Sequence, residues 1–236
     1  GEDFKKQLLS VLTAVYNTQL YKRTTPDTFK PAGVAKHIRP VRTDRKLVAL
    51  ACSTGGPKAL QSVIPYLPKN LDAPVVLVQH MPAGFTKSMA DRPNELREVS
   101  VKEAEEGDVL EKGHVYVAPG GMHMEVVKAH GNTHRIKLDD LPPIGGLRPC
   151  ANIMFDSLAK TDYDEIICIV LTGMGADGTN GILSLNRTKP IHVIAQDAQT
   201  CVVYGMPRAI AEAGMVDEVV PLTAVAKTII KNVGVK

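Results

Sequence analysis

The segment Lys46-Leu-Val-Ala-Leu-Ala-Cys-Ser-Thr-Gly-Gly-Pro-Lys-Ala-Leu60 runs from uncharged and apolar to glycine-rich within a few residues. Leu47 to Cys52 reads as a fully buried strand. Ser53 and Thr54 break the run. Gly55-Gly56 permit backbone angles that side chains forbid, and Pro57 suits a first helical turn. Apolar residues then recur at Leu60, Val63, Ile64 and Leu67, at helical spacing. A strand therefore ends at Ser53 and a helix starts just beyond it. In α/β proteins, the carboxyl end of a strand and the positive end of a helix are both places for chemistry. The plainer reading is that Ser53 or Thr54 only caps the helix.

Working outward, Pro74 to Gln79 is a second buried strand ending at His80, and a helical pattern follows from Phe85 to Leu96, with Pro93 expected to end or kink it. Strand, helix and strand at this spacing form a βαβ unit with parallel strands, which puts Ser53 and His80 at the same edge. From Val99 to Leu138 short β patterns alternate with glycines, and the expectation is antiparallel hairpins added to the sheet. Asp139 to Pro149 is a loop long enough to border a site, and Ala151 to Lys160 is a short helix. The buried pattern returns at Glu165 to Leu171 and ends in Thr172-Gly-Met-Gly-Ala-Asp-Gly178, which contains Asp177. Helices near 179–186, 207–213 and 223–232 and strands near 191–195 and 219–220 complete an α/β fold. It is a doubly wound, mostly parallel sheet with helices on both faces and an antiparallel hairpin insertion.

Towards the amino end, Phe4, Leu8, Leu12, Val15, Tyr16 and Leu20 mark an amphipathic helix over residues 1–21. Residues 22–45, with Pro26, Pro31 and Pro40, read as a linker. The remainder, 46–236, reads as one domain.

The chain has 236 residues, of which 44% are hydrophobic and 22% charged, the balance of an ordinary globular protein. A net charge of +3 without a Lys/Arg run argues against nucleic acid. No apolar run approaches the ~20 residues of a membrane span. Cys52, Cys150, Cys168 and Cys201 form no Cys-x-x-Cys pair, so free thiols in a cytoplasmic protein are expected and a zinc site is not. No metal site is expected at the histidines. His123, after Gly120-Gly121, is expected at the border of the site.

Three buried strands thus end in a hydroxyl, an imidazole and a carboxylate: Ser53, His80 and Asp177. That set suits nucleophilic acyl transfer. A base takes the serine proton, imidazole does so near neutral pH, and a carboxylate fixes its tautomer. Backbone N–H groups around Met174 and at Thr54–Gly55 suit an oxyanion. The same residues admit another reading. His80 is then a satisfied histidine, Asp177 forms a turn, and the glycine loops cradle a phosphate in a nucleotide- or phosphate-binding regulatory module without hydrolase activity.

Beyond these patterns, longer blocks resemble the catalytic domain of the CheB chemotaxis methylesterase family. They are Ala51-Cys-Ser-Thr-Gly-Gly-Pro-Lys-Ala-Leu60, Gln79-His80-Met81-Pro82 with Phe85, Val101-Lys-Glu-Ala-Glu-Glu-Gly107, Tyr116-Val-Ala-Pro-Gly120, Leu171-Thr-Gly-Met-Gly-Ala-Asp-Gly178, and Ala195-Gln-Asp197 with Cys201-Val-Val-Tyr-Gly-Met-Pro-Arg208. The likeness covers about Lys46 to Leu222. It implies a cofactor-free hydrolase of two-component signalling that removes γ-methyl esters from glutamates on methyl-accepting chemoreceptor cytoplasmic domains, and deamidates glutamine on the same receptors. The family's nucleophile falls on Ser53, its base on His80 and its orienting carboxylate on Asp177. Its oxyanion donor falls on the backbone of Met174, with Thr54 adjacent. The resemblance also implies a receiver domain in cis. Its signature strand and acidic pocket are absent from this sequence, and residues 1–21 resemble its last helix. The expectation is a truncated or naturally short form. Ala51 stands where the family usually has glycine, and Asn186 to Pro190 replaces a segment usually ending in paired glycines. Neither touches the three catalytic positions.

Overall fold

The structure, a computed structural model, describes residues 45–91 and 99–235. The amphipathic helix expected over 1–21, nearly all of the linker, and Pro93 lie outside the described residues.

Strand β1 (Lys46–Cys52) is flanked by β2 (Val75–Gln79) on one side and β7 (Glu165–Val170) on the other, both parallel to it. The remaining sheet strands are β3 (Ser100–Glu103), β4 (His114–Val117), β8 (Ile191–Gln196) and β9 (Glu218–Val220), in the order β3-β4-β2-β1-β7-β8-β9. Every pairing in this seven-stranded sheet is parallel. A separate two-stranded antiparallel sheet joins β5 (His123–Lys128) to β6 (His134–Asp139).

Alternation along β1 builds two cores. Leu47, Ala49 and Ala51 face Met154 and Phe155 of helix α3 (Ala151–Ser157), with α4 (Thr179–Leu185) and α5 (Met206–Glu212) on the same side. Val48, Leu50 and Cys52 face Leu60 of α1 (Gly56–Gln61) and Ile229 of α6 (Val225–Val233), with Ala90 of α2 (Phe85–Asp91). A strand buried on both faces must be apolar throughout, which is why β1 carries no internal polar residue.

Two expectations change. The Val99–Leu138 region was expected to add antiparallel hairpins to the sheet. Instead β3 and β4 extend the parallel sheet at its edge, and the one hairpin in the region, β5–β6, stands apart from it. Short glycine-punctuated β patterns report extended backbone but not strand direction, which is set by partners distant in sequence. The helix after β1 also stops early, at Gln61, and a 3₁₀ turn over Ile64–Tyr66 carries the rest of the apolar pattern. Pro65 in that turn has no N–H with which to continue an α-helical ladder.

Candidate active site

Chain order and strand order diverge around β1: the chain leaves it for β2 on one side and later returns to β7 on the other. This is the switch point at which open α/β sheets form a crevice beyond the carboxyl ends of their strands. Ser53, His80 and the Thr172–Gly178 loop leave β1, β2 and β7 at that edge, on three adjacent strands.

Backbone bonds hold the first two residues in register. Cys52 pairs with Gln79, and the His80 N–H continues the ladder to the Cys52 carbonyl at 3.1 Å. On the other side, the Ser53 N–H donates to the Thr172 carbonyl at 3.0 Å. The N-cap of α1 is Gly55, with φ of 83° and no side-chain capping bond. Ser53 and Thr54 therefore do not cap this helix, and the Ser53 hydroxyl makes no hydrogen bond among the described residues. Thr54 is exposed beside it.

His80 and Asp177 meet directly, with Nε2 of the imidazole 2.8 Å from Oδ2 of the carboxylate and both side chains more than nine-tenths buried. This leaves Nδ1 as the ring nitrogen not engaged by Asp177. The carboxylate is held by four further donors. Oδ2 accepts the Ala151 N–H at 2.6 Å, and Oδ1 accepts the Asn152 N–H at 3.1 Å, the Cys150 thiol at 3.2 Å and the Gly178 N–H at 3.0 Å. Burial alone would raise the Asp177 carboxyl pKa. The bonds from His80, Ala151, Cys150 and Asn152 oppose it and hold the group below the usual carboxylate range.

The loop containing Met174 is anchored by Thr172, whose Oγ1 donates to the Thr54 carbonyl at 2.9 Å and accepts the Val202 and Val203 N–H groups at 3.1 and 3.0 Å. The Gly173 carbonyl in turn accepts from Gly205 and Met206 at 3.1 and 2.9 Å. The Cys201–Met206 segment thus braces the loop from outside. The Met174 N–H makes no hydrogen bond among the described residues, and its side chain, like those of Phe85 and Val202, is exposed.

The thiols nearest the site are poor nucleophiles. Burial pushes Cys52 far up, and burial together with the Asp177 charge pushes Cys150 to about 11. His123, expected at the border, is instead fully buried on β5, with Nε2 3.3 Å from the Pro142 carbonyl. Asn152 was not singled out from sequence. Its Oδ1 accepts the N–H groups of Gly178 and Gly181 at 3.0 and 2.8 Å. Among the described residues, no group of three or more His, Cys, Asp or Glu is arranged to hold a metal ion, and no helix is long and apolar enough to cross a membrane.

Fold and site together define an α/β domain with a serine, a histidine and a carboxylate gathered at the switch point of a parallel sheet. A family model described as CheB methylesterase matches residues 48–229, and the chain belongs to that family. A Geobacillus kaustophilus protein-glutamate methylesterase/protein-glutamine glutaminase is 43% identical over 211 residues, 89% of this chain and 60% of the relative. A protein of the same name from Symbiobacterium thermophilum is 48% identical over 193 residues, 82% of this chain and 52% of its own length. The crystal structure of the Thermotoga maritima CheB methylesterase catalytic domain aligns with a TM-score of 0.76 at 43% identity, covering 80% of this chain and 99% of that one. The chain spans between about half and two thirds of the length of the curated relatives it matches.

Proposed function

We propose that this chain hydrolyses glutamate γ-methyl esters, and deamidates glutamine, on the cytoplasmic domains of methyl-accepting chemoreceptors, serving sensory adaptation in the cytoplasm. The observation that carries this reading is the His80–Asp177 pair at 2.8 Å, one strand away from an unengaged Ser53 hydroxyl. With Asp177 accepting the Nε2 proton, Nδ1 is the nitrogen that takes the Ser53 proton as the hydroxyl attacks the ester carbonyl. The tetrahedral oxyanion is met by the free Met174 N–H, with Thr54 alongside. The imidazolium then protonates the departing methoxide, and water hydrolyses the acyl-enzyme by the reverse proton path.

The phosphate-binding alternative has less support. The N–H groups of Ala151, Asn152 and Gly178 are spent on Asp177, and those of Gly178 and Gly181 on Asn152. The N–H groups of Gly178 and Gly181 at the start of α4, where a phosphate would be cradled, are thus bonded to the protein's own side chains. Residues 1–21 as the end of a receiver domain, 22–45 as linker and 46–236 as catalytic domain remain the proposed division, with a receiver domain as partner in cis.

A serine-directed fluorophosphonate tests the reading. It should add one adduct, map to Ser53 and abolish methanol release from methylated receptor membranes. Full methanol release after complete labelling of Ser53 would refute it.

A further inference from the structure

We propose that Gln79 is a positioning residue that fixes the spacing between the main chains of Ser53 and His80, an inference that rests on reading those two residues as nucleophile and base. Gln79 is the last residue of β2 and is 2% exposed. Its Nε2 donates to the Ser53 carbonyl at 3.1 Å and to the His80 carbonyl at 3.0 Å, while its Oε1 accepts the Cys52 thiol at 3.1 Å. Two carbonyl partners on one atom require that atom to be the nitrogen, which settles the orientation of the amide. Both amide protons are used, one on each catalytic residue's backbone.

The position is otherwise unsuited to glutamine. Its neighbours on β2 are Val75, Val76, Leu77 and Val78, all buried, and a buried carboxamide is costly unless fully bonded. The chain also keeps space for it, since a Cβ on Gly56 would lie 1.9 Å from Gln79 Oε1. Beyond the His80 N–H to Cys52 carbonyl bond, β1 and β2 leave the sheet for separate turns. The Gln79 amide replaces the ladder where it ends, between the residues whose spacing sets proton transfer. A displacement of about 1 Å at such a point costs on the order of 10²-fold in rate.

The test compares Gln79→Met, Gln79→Glu and Cys52→Ala with the parent in methanol release and in the rate of fluorophosphonate labelling of Ser53. Gln79→Met removes both donors at nearly constant volume, and Gln79→Glu removes at least one of them. The expected result is a kcat about 10–100-fold lower with KM within about twofold, and an equal loss of labelling rate. Cys52→Ala keeps both amide bonds and loses only a weak thiol donor, so it should stay within about threefold. In the unaltered protein, the side-chain amide protons of Gln79 should exchange slowly with solvent and shift when Ser53 is labelled, a measurement that holds even if the variants do not fold. A folded Gln79→Met at parental kcat, a loss confined to KM, or fast-exchanging protons indifferent to labelling would overturn the inference. Ser53→Ala separates the two levels. An inactive Ser53→Ala beside an unimpaired Gln79→Met removes only the role of Gln79, whereas a fully active Ser53→Ala removes the functional reading with it.

Discussion

Asn152 and Asp177 brace each other's chain segments. The Asn152 N–H donates to Asp177 Oδ1 at 3.1 Å, and the Asn152 side-chain oxygen accepts the N–H of Gly178, the residue after Asp177, at 3.0 Å. The start of α3 thereby holds the carboxylate, and the start of α4 is held in return. The carboxylate bonded to His80 is thus fixed by two helices as well as by the imidazole.

Removing this brace should be felt in stability before chemistry. Asn152→Ala leaves the Gly181 N–H without its side-chain acceptor and the Gly178 N–H with Asp177 Oδ1 alone, so about 1–2 kcal/mol of unfolding free energy should be lost. Urea denaturation should show a lower midpoint with an unchanged slope. An unchanged midpoint would mean that water satisfies these donors equally well.

The depressed Asp177 carboxyl gives a signed pH dependence. Its folded pKa lies below the unfolded value of ~3.9, so the ionised group stabilises the fold above that value. The contribution disappears as pH falls through the folded pKa. The stability gap between parent and Asp177→Asn should be full near neutral pH and shrink on acidification below ~4. A gap that is constant or widens in acid would contradict the proposed bonding of the carboxylate.

The core beneath the site makes a third test. Phe155 is fully buried against β1 and the α4 helix. Phe155→Ala should cost about 3–5 kcal/mol, because it empties a site that neighbouring helices cannot refill. Thermal unfolding of the two proteins would measure it, and a loss below ~1 kcal/mol would mean the two helices collapse into the space.

The thiols beside the site should be spectators. Cys52 and Cys150 are buried and protonated near neutral pH, so iodoacetamide should leave both unmodified in the folded chain. Mass mapping with and without denaturant checks this. Rapid native alkylation of Cys52 with loss of activity would point to the wrong nucleophile.

The parts legible in sequence share one property: each is a local pattern. β1, β2 and β7 are apolar runs broken by a polar residue at their carboxyl ends, so Ser53, His80 and the Asp177 loop could be found and set at one edge. The direction of β3 and β4 was not legible, because parallel pairing is decided by strands far along the chain. The bracing by Asn152 and the paired hydrogen bonds of Gln79 link residues about 26 positions apart or join neighbouring turns through a buried side chain. Such contacts leave no periodic trace. His123 follows a glycine turn, which suggested a place at the border of the site, yet it is fully buried on β5.

The central claim is that Ser53, His80 and Asp177 act as one unit. Methanol release by Ser53→Ala, His80→Ala, Asp177→Asn and the triple variant tests it most directly. Each single change should lower kcat by at least ~10³-fold, or about 4 kcal/mol of barrier, and the triple variant should be little worse than Ser53→Ala alone. A folded Ser53→Ala that demethylates receptors at nearly the parental rate, or three losses that simply multiply, would contradict it.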